Sequence, residues 1–166
     1  PVRLVDSGTA GFGVSCCVWA AAAAIADGAF ADDAALIAEQ LAPTIGNVFV
    51  MGALAHLRAG GRAHDPDRAH GGIPVVSLRD GQVEVVQQAA TALDAVNAMA
   101  AYTLRRGSRL RVAVGHSDEE TAPLADGLQE ALGEAAGVLE VVRYRIGPSI
   151  GAHTGPGTVG CFMFPA

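Results

Sequence analysis

The stretch IPVVSLRDGQVEVV, residues 73–86, decides which kind of sheet this chain can form. It contains two runs rich in β-branched residues, and Asp80-Gly81 separates them. Asp-Gly between two such runs is a strong hairpin signal, because both residues tolerate the backbone angles of a tight turn. The stretch therefore predicts two antiparallel strands that belong to one sheet.

The segments on both sides of this hairpin alternate between strand and helix patterns. We predict seven strands and five helices in one domain, residues 1–166. The other strands are predicted at 2–5, 47–54, 109–117, 139–147 and 158–164, and the helices at 13–28, 32–42, 55–62, 91–107 and after Ser117. Ser117 and Glu120 are spaced for a capping box at the start of the last helix. This order predicts an α/β (α+β) fold, with a mixed β-sheet packed against helices.

Composition narrows the class of protein. Hydrophobic residues make up 51% of the chain and aromatic residues only 5%, so the core should be mostly aliphatic. The net charge is −6 and every fixed positive charge is an arginine, which argues against a nucleic-acid partner. The longest apolar run, residues 14–26, is shorter than the ~20 residues of a membrane span. We expect a cytoplasmic protein with no membrane span, and the start at Pro1 suggests that an N-terminal portion is absent.

Metal and disulfide chemistry have weak support. Cys16, Cys17 and Cys161 are odd in number and form no CxxC motif, so buried, inert thiols are expected. A turn-rich segment does gather histidine and aspartate, but with no recognised ligand spacing. Its residues are His56, His64, Asp65, Asp67 and His70. We predict a solvated loop there, with no metal and no cofactor.

Two further motifs have both a functional and a structural interpretation. GTAGFG, residues 8–13, is expected between a strand and a helix, where backbone N–H groups could hold an anion or simply form a tight turn. Arg62 follows Gly60-Gly61, where it could bind a carboxylate or phosphate or be an ordinary surface arginine. Six serines and five histidines also allow a hydrolase, although no GxSxG elbow is present.

The stretch IGPSIGAHTGPGTVG, residues 146–160, has the most unusual composition in the chain. Its glycines permit positive φ angles and close backbone approach, and its prolines stiffen the backbone. His153 and Thr154 could therefore project from a rigid loop towards a ligand. His153 could equally hold the loop together through a backbone carbonyl, and the residues alone leave both interpretations open.

The order of these pieces resembles one known family. VDSGTAGFG, NVFVMGALAHLRAGGR, IPVVSLRDGQVEVV and IGPSIGAHTGPGTVG follow one another as in DegV family fatty-acid-binding proteins. The resemblance covers nearly all of the chain and corresponds to the larger C-terminal part of that family's fold. It implies a carrier rather than an enzyme.

The resemblance also implies a ligand, a partner and a site. The ligand would be a long-chain fatty acid in a buried apolar tunnel, and the partner a fatty acid kinase that receives its carboxylate for phospholipid synthesis. The family's carboxylate histidine falls on His153, beside Thr154 and Gly155, and its phosphoryl-transfer arginine falls on Arg62. An apolar groove left open could drive homodimer formation.

Two alternatives belong to other functional classes. One is a hydrolase-type enzyme that uses His153, with Arg62 as the oxyanion stabiliser. The other is an oligomerisation module without a ligand, in which larger side chains would fill the tunnel.

Overall fold

The computed structural model describes residues 2–52 and 72–166. This part of the chain contains five α-helices and six β-strands. The helices are α1 (Phe12–Ala26), α2 (Ala31–Leu41), α3 (Ala92–Leu104), α4 (Ala122–Gly133) and α5 (Pro148–Thr154). The strands are β1 (Gly46–Val50), β2 (Ile73–Arg79), β3 (Gln82–Ala89), β4 (Leu110–His116), β5 (Val138–Arg145) and β6 (Val159–Pro165).

The six strands form one mixed sheet in the order β3-β2-β1-β6-β4-β5. The predicted hairpin is confirmed, because β2 and β3 pair antiparallel across Asp80 and Gly81, both of which have positive φ. β4 and β5 pair parallel, whereas β6 runs antiparallel to both of its neighbours. The last strand of the chain therefore lies inside the sheet and joins the hairpin half to the parallel half.

Helices cover the two faces of the sheet unequally. α3 and α4 pack on one face over a continuous aliphatic core that includes Val48, Val112 and Leu128. α1 lies on the other face, where Cys16 and Trp19 pack against Phe164 of β6. α2 packs mainly on α1. The predicted α/β class is confirmed, and the face under α1 is the one that carries the candidate site.

Helix packing agrees with the sequence pattern only in part. Leu128 and Leu132 of α4 are fully buried, as their spacing predicts. The spacing of Leu93, Val96, Ala100 and Leu104 predicts one apolar face on α3, but only Val96 and Ala100 are buried, while Leu93 is 68% exposed. The three cysteines are free and buried, as expected. The predicted helix at 55–62 lies outside the described residues.

Three local predictions were wrong. Residues 2–5 form no strand, because the segment pairs with no strand of the sheet; Arg3 instead reaches Asp32 and Glu39 of α2. Ser117 does not cap α4; Asp118 caps the 3-10 turn Glu119–Thr121 that leads into α4, with Thr121 as its partner.

The third wrong prediction concerns the glycine-rich loop, whose first half is helix α5. Pro148 occupies the first turn of this helix, where a missing N–H does no harm. Gly155 ends it with φ 75°, a conformation that favours glycine. His153 and Thr154 therefore lie in the last turn of a short helix.

Candidate functional site

A cavity of about 1420 Å³ lies against the α1 face of the sheet. The N-terminal half of α1 and the segment before it form one wall, and α5 forms another. The strands form the floor with apolar and aromatic side chains, namely Phe49, Met51, Val83, Tyr144 and Phe162. A space of this size with an apolar floor and polar groups among its lining residues is suited to an amphipathic ligand.

Two glycines in register shape the centre of the floor. Gly115 of β4 pairs with Gly160 of β6. A Cβ on Gly115 would lie 2.2 Å from Cζ of Tyr144, and one on Gly160 would lie 2.4 Å from Cδ1 of Phe49. The rings of Tyr144 and Phe49 thus lie over the backbone of Gly115 and Gly160 on the neighbouring strands. The floor is flat and aromatic at this level.

Tyr144 is the polar exception in this floor. Its ring stacks at a tilt on Phe12 of α1, with 4.5 Å between centroids. Burial raises the pKa of the phenol above its ordinary value, with smaller contributions from Cys161 and Cys16. The hydroxyl forms no hydrogen bond with any residue in the two described ranges, and its oxygen is not sealed from solvent. The Tyr144 hydroxyl is therefore a hydrogen-bond donor in the cavity wall that no described residue accepts from.

α5 supplies the polar end of the cavity at the top of β4 and β6. Ser149, His153 and Thr154 line the cavity there, together with Ile150. The Thr154 hydroxyl donates to the carbonyl of Ile150 at 3.3 Å. His153 is exposed. Of the predicted site residues, His153 and Thr154 thus reach the cavity.

Gly155 has a different place. It is buried, and it caps α5 behind the cavity wall instead of lining the cavity. Its N–H donates to the carbonyl of Gly151 at 2.8 Å. Gly155 therefore ends α5 directly after His153 and Thr154.

The loop that follows α5 is fixed to the end of β4. The N–H of Gly157 donates to Oδ2 of Asp118 at 2.7 Å, and the N–H of Thr158 donates to Oγ of Ser117 at 2.9 Å. The Ser117 N–H returns a bond to the carbonyl of Thr158 at 2.9 Å. The bond from the Gly157 N–H, with those from Ser117 and Thr121, holds the pKa of Asp118 well below its usual range. The loop just after His153 is thus bonded to the residues that follow β4.

The segment before α1 closes the same end from the other side. Asp6 Oδ1 accepts from the N–H of Gly8 at 2.9 Å, and Gly11 has φ 60° at the helix N-cap. A Cβ on Gly11 would lie 3.1 Å from Cγ1 of Ile150, so α1 begins against α5. GTAGFG therefore forms the tight turn into a helix, although no strand precedes it.

Sequence reasoning missed the residues at the other end of the cavity. The Asn47 side chain donates to the carbonyl of Leu78 at 2.9 Å and accepts from its N–H at 2.7 Å. It thereby extends the short β1–β2 ladder with a side-chain amide. Tyr102 of α3 donates to Oγ of Ser77 at 3.1 Å at the same end. An asparagine at the start of the predicted strand 47–54 was the only signal in the sequence.

Several predicted site residues cannot be placed. Arg62 and the histidine–aspartate segment at 56–70 lie outside the described residues. Elsewhere, residues 2–52 and 72–166 contain no group of three or more histidine, cysteine or acidic side chains that could hold a metal ion. No helix within those ranges is long and apolar enough to cross a membrane.

Comparisons with known proteins agree with the fold. A DegV domain-containing protein from Streptomyces coelicolor is 30% identical over 168 residues, which cover 96% of this chain and 59% of that protein. A fatty-acid-binding DegV family protein from Thermus thermophilus superposes with a TM-score of 0.84 at 25% identity, covering 99% of this chain and 61% of that one. A DegV family protein from Corynebacterium glutamicum gives a TM-score of 0.79 at 24% identity, with coverage of 99% and 65%.

The chain spans about three fifths of the length of these relatives. Residues 1–166 also match the family model described as "Uncharacterised protein, DegV family". With the mixed sheet and the cavity above α5, this match assigns the family that the motif order suggests. The chain belongs to the DegV family.

Proposed function

We propose that the chain binds a long-chain fatty acid in the cavity, with the carboxylate at the α5 end near His153. The observation that carries the proposal is the cavity itself, whose floor is apolar and which is lined at α5 by Ser149, His153 and Thr154. The acyl chain would run along the floor beside Phe49 and Phe162. Each methylene removed from water there would contribute about 0.8 kcal/mol to binding.

The head group would meet the last turn of α5. An imidazole can donate to a carboxylate when neutral and pair with it when charged. Thr154 would add its oxygen to the same end, and Gly155 would hold that turn in place. Arg62 is proposed to take part in presenting the carboxylate to a fatty acid kinase in the cytoplasm, as the family resemblance implies.

The fatty-acid-binding DegV protein from Thermus thermophilus supports this proposal, because its fold is shared over 99% of this chain. We further propose that residues 1–166 fold as one lipid-binding domain. No contact among the described residues favours hydrolysis over binding, since no serine hydroxyl is bonded to a histidine there.

Two glycines of the α5 region provide a matched pair of variants. A Cβ would meet nothing within 4 Å at either Gly147 or Gly151, and neither has positive φ. Only Gly147 lines the cavity. We expect Gly147→Leu to lower the affinity for palmitic or stearic acid about tenfold or more, while Gly151→Leu leaves it within about twofold.

The measurement is isothermal titration of delipidated protein, supported by native mass spectrometry of protein purified from cells. If wild-type protein retains no acyl chain and binds none after delipidation, the proposed function is wrong. Equal loss of affinity in the two leucine variants would contradict the placement of the ligand. A His153→Gln variant then tests the head-group contact, and it should weaken the acid more than its methyl ester.

A further inference from the structure

We propose that Tyr144 makes the cavity selective for an acyl chain that carries an oxygen atom, as in a hydroxy fatty acid. The inference rests on the proposed function and adds a ligand class to it. Its basis is the position of the phenol in the floor, where the described side chains near it are Phe12 and the thiols of Cys16 and Cys161, and none of these bonds the hydroxyl.

The Tyr144 side chain reaches from the edge strand β5 over the neighbouring strand β4. Its hydroxyl would be 2.6 Å from a Cβ on Gly115, so the ring lies across the backbone of β4. Phe12 stacks on the ring from α1. The hydroxyl is therefore fixed by packing on both faces of its ring, and a ligand in the cavity must pass it.

The surroundings leave this hydroxyl without a bond partner in the described part of the chain. The next residue across the sheet is Gly160, which has no side chain, and beyond it lies the ring of Phe49. A saturated chain laid over this floor would cover the hydroxyl and give it no acceptor. A buried donor without a partner opposes binding.

An oxygen on the acyl chain removes this penalty. A hydroxyl group on the ligand can accept from the phenol and still donate elsewhere, and the phenol is protonated at neutral pH. The carboxylate is expected at α5, beyond the end of β5, so the matching oxygen would lie within the chain. Sites built to bond a hydroxyl discriminate strongly against ligands that lack it.

The chain offers a close control, since Tyr102 and Tyr144 are its two tyrosines. Tyr102 also lines the cavity, but its hydroxyl already donates to Ser77 at 3.1 Å. Tyr→Phe at each position removes one hydroxyl and preserves the ring. The probes are stearic acid, 10-hydroxystearic acid and 12-hydroxystearic acid, titrated into delipidated protein.

We expect wild-type protein to bind at least one hydroxystearic acid about fivefold to tenfold more tightly than stearic acid. Tyr144→Phe should abolish that preference without weakening stearic acid, and Tyr102→Phe should keep it. Equal affinities in wild-type protein would overturn the proposal, because a cavity water would then satisfy the phenol. A uniform loss for all three acids in Tyr144→Phe would also overturn it, because the phenol would then bind the carboxylate. Failure of every acid to bind would instead refute the proposed function.

Discussion

Asn47 extends the β1–β2 ladder with its side chain, beyond the point where the two backbones pair. Both polar atoms of its amide bond the backbone of Leu78, and the side chain is buried. We expect Asn47→Ala to lower the free energy of unfolding by about 1–3 kcal/mol, because it leaves a backbone donor and acceptor unpaired. Exposed Asn97 of α3 is the control, and Asn97→Ala should change stability by less than about 0.5 kcal/mol. Urea denaturation of both variants measures the difference, and equal losses would contradict the role given to Asn47.

Asp118, which lies just after β4, makes the stability of the fold depend on pH. Its pKa in the folded protein is depressed, first by the Gly157 N–H and then by Ser117, relative to about 3.9 in the unfolded chain. The stabilisation is therefore present above about pH 4 and is lost as the pH falls towards the folded pKa. Asp118→Asn should be less stable than wild type at pH 7, and the difference should shrink below pH 4. Thermal melts across this range check it.

Asp27 provides the control for that experiment. It follows α1, is exposed, and forms no side-chain hydrogen bond or ion pair with a described residue. Asp27→Asn should follow the wild-type pH profile. A constant difference between Asp118→Asn and wild type from pH 2 to pH 7 would be inconsistent with the linkage.

At the scale of elements, the strands and long helices could be predicted from periodicity and turn residues. α5 could not, because glycine lowers helix propensity and the helix has only seven residues. Pro148 in its first turn and Gly155 after its last residue were nevertheless start and stop signals of a helix. The predicted strand at 2–5 was wrong for a different reason. A short apolar run gives no information about whether a partner strand is available.

The two floor glycines allow a test at this scale. A Cβ at Gly160 would meet the carbonyl oxygen of Val48 at 2.2 Å, which is backbone, whereas a Cβ at Gly115 would meet only the Tyr144 ring. We expect Gly160→Ala to destabilise the fold by about 3 kcal/mol or more and Gly115→Ala by about 1–3 kcal/mol. Gly133→Ala in α4 has open space and should stabilise by about 0.5–1 kcal/mol. Chemical denaturation ranks the three, and a larger loss for Gly115→Ala than for Gly160→Ala would refute the account.

At the scale of the whole molecule, site residues could be predicted only where they lie together in one continuous stretch of sequence. His153 could be singled out from its own stretch and from the family resemblance. The floor could not, because Tyr144, Gly115, Gly160 and Phe49 become neighbours only through the strand order and register. Because β6 pairs antiparallel with both β1 and β4, these four residues lie in one row across the sheet.

The outer surface of the molecule has an apolar face on the first two helices. Val18 is 62% exposed and Phe30 81% exposed, with Val14 and Ile25 beside them on α1 and Ile37 on α2. We expect the 166-residue chain to form a homodimer through this face, since contiguous exposed apolar surface favours association. Val18→Glu should shift the chain towards the monomer in sedimentation equilibrium. Leu93→Glu changes an equally exposed residue on α3, and it should have no effect; dissociation by Leu93→Glu alone would place the contact elsewhere.

The bonds from Ser117 and Asp118 to Gly157 and Thr158 have a kinetic consequence. Amide protons in a surface loop usually exchange quickly with solvent, but these two are held by side chains at the end of a central strand. Their exchange should require β4 and β6 to separate, so they should be protected nearly as well as the sheet. A ligand that enters past α5 would then depend on motion of the helix itself, while the loop behind it stays closed.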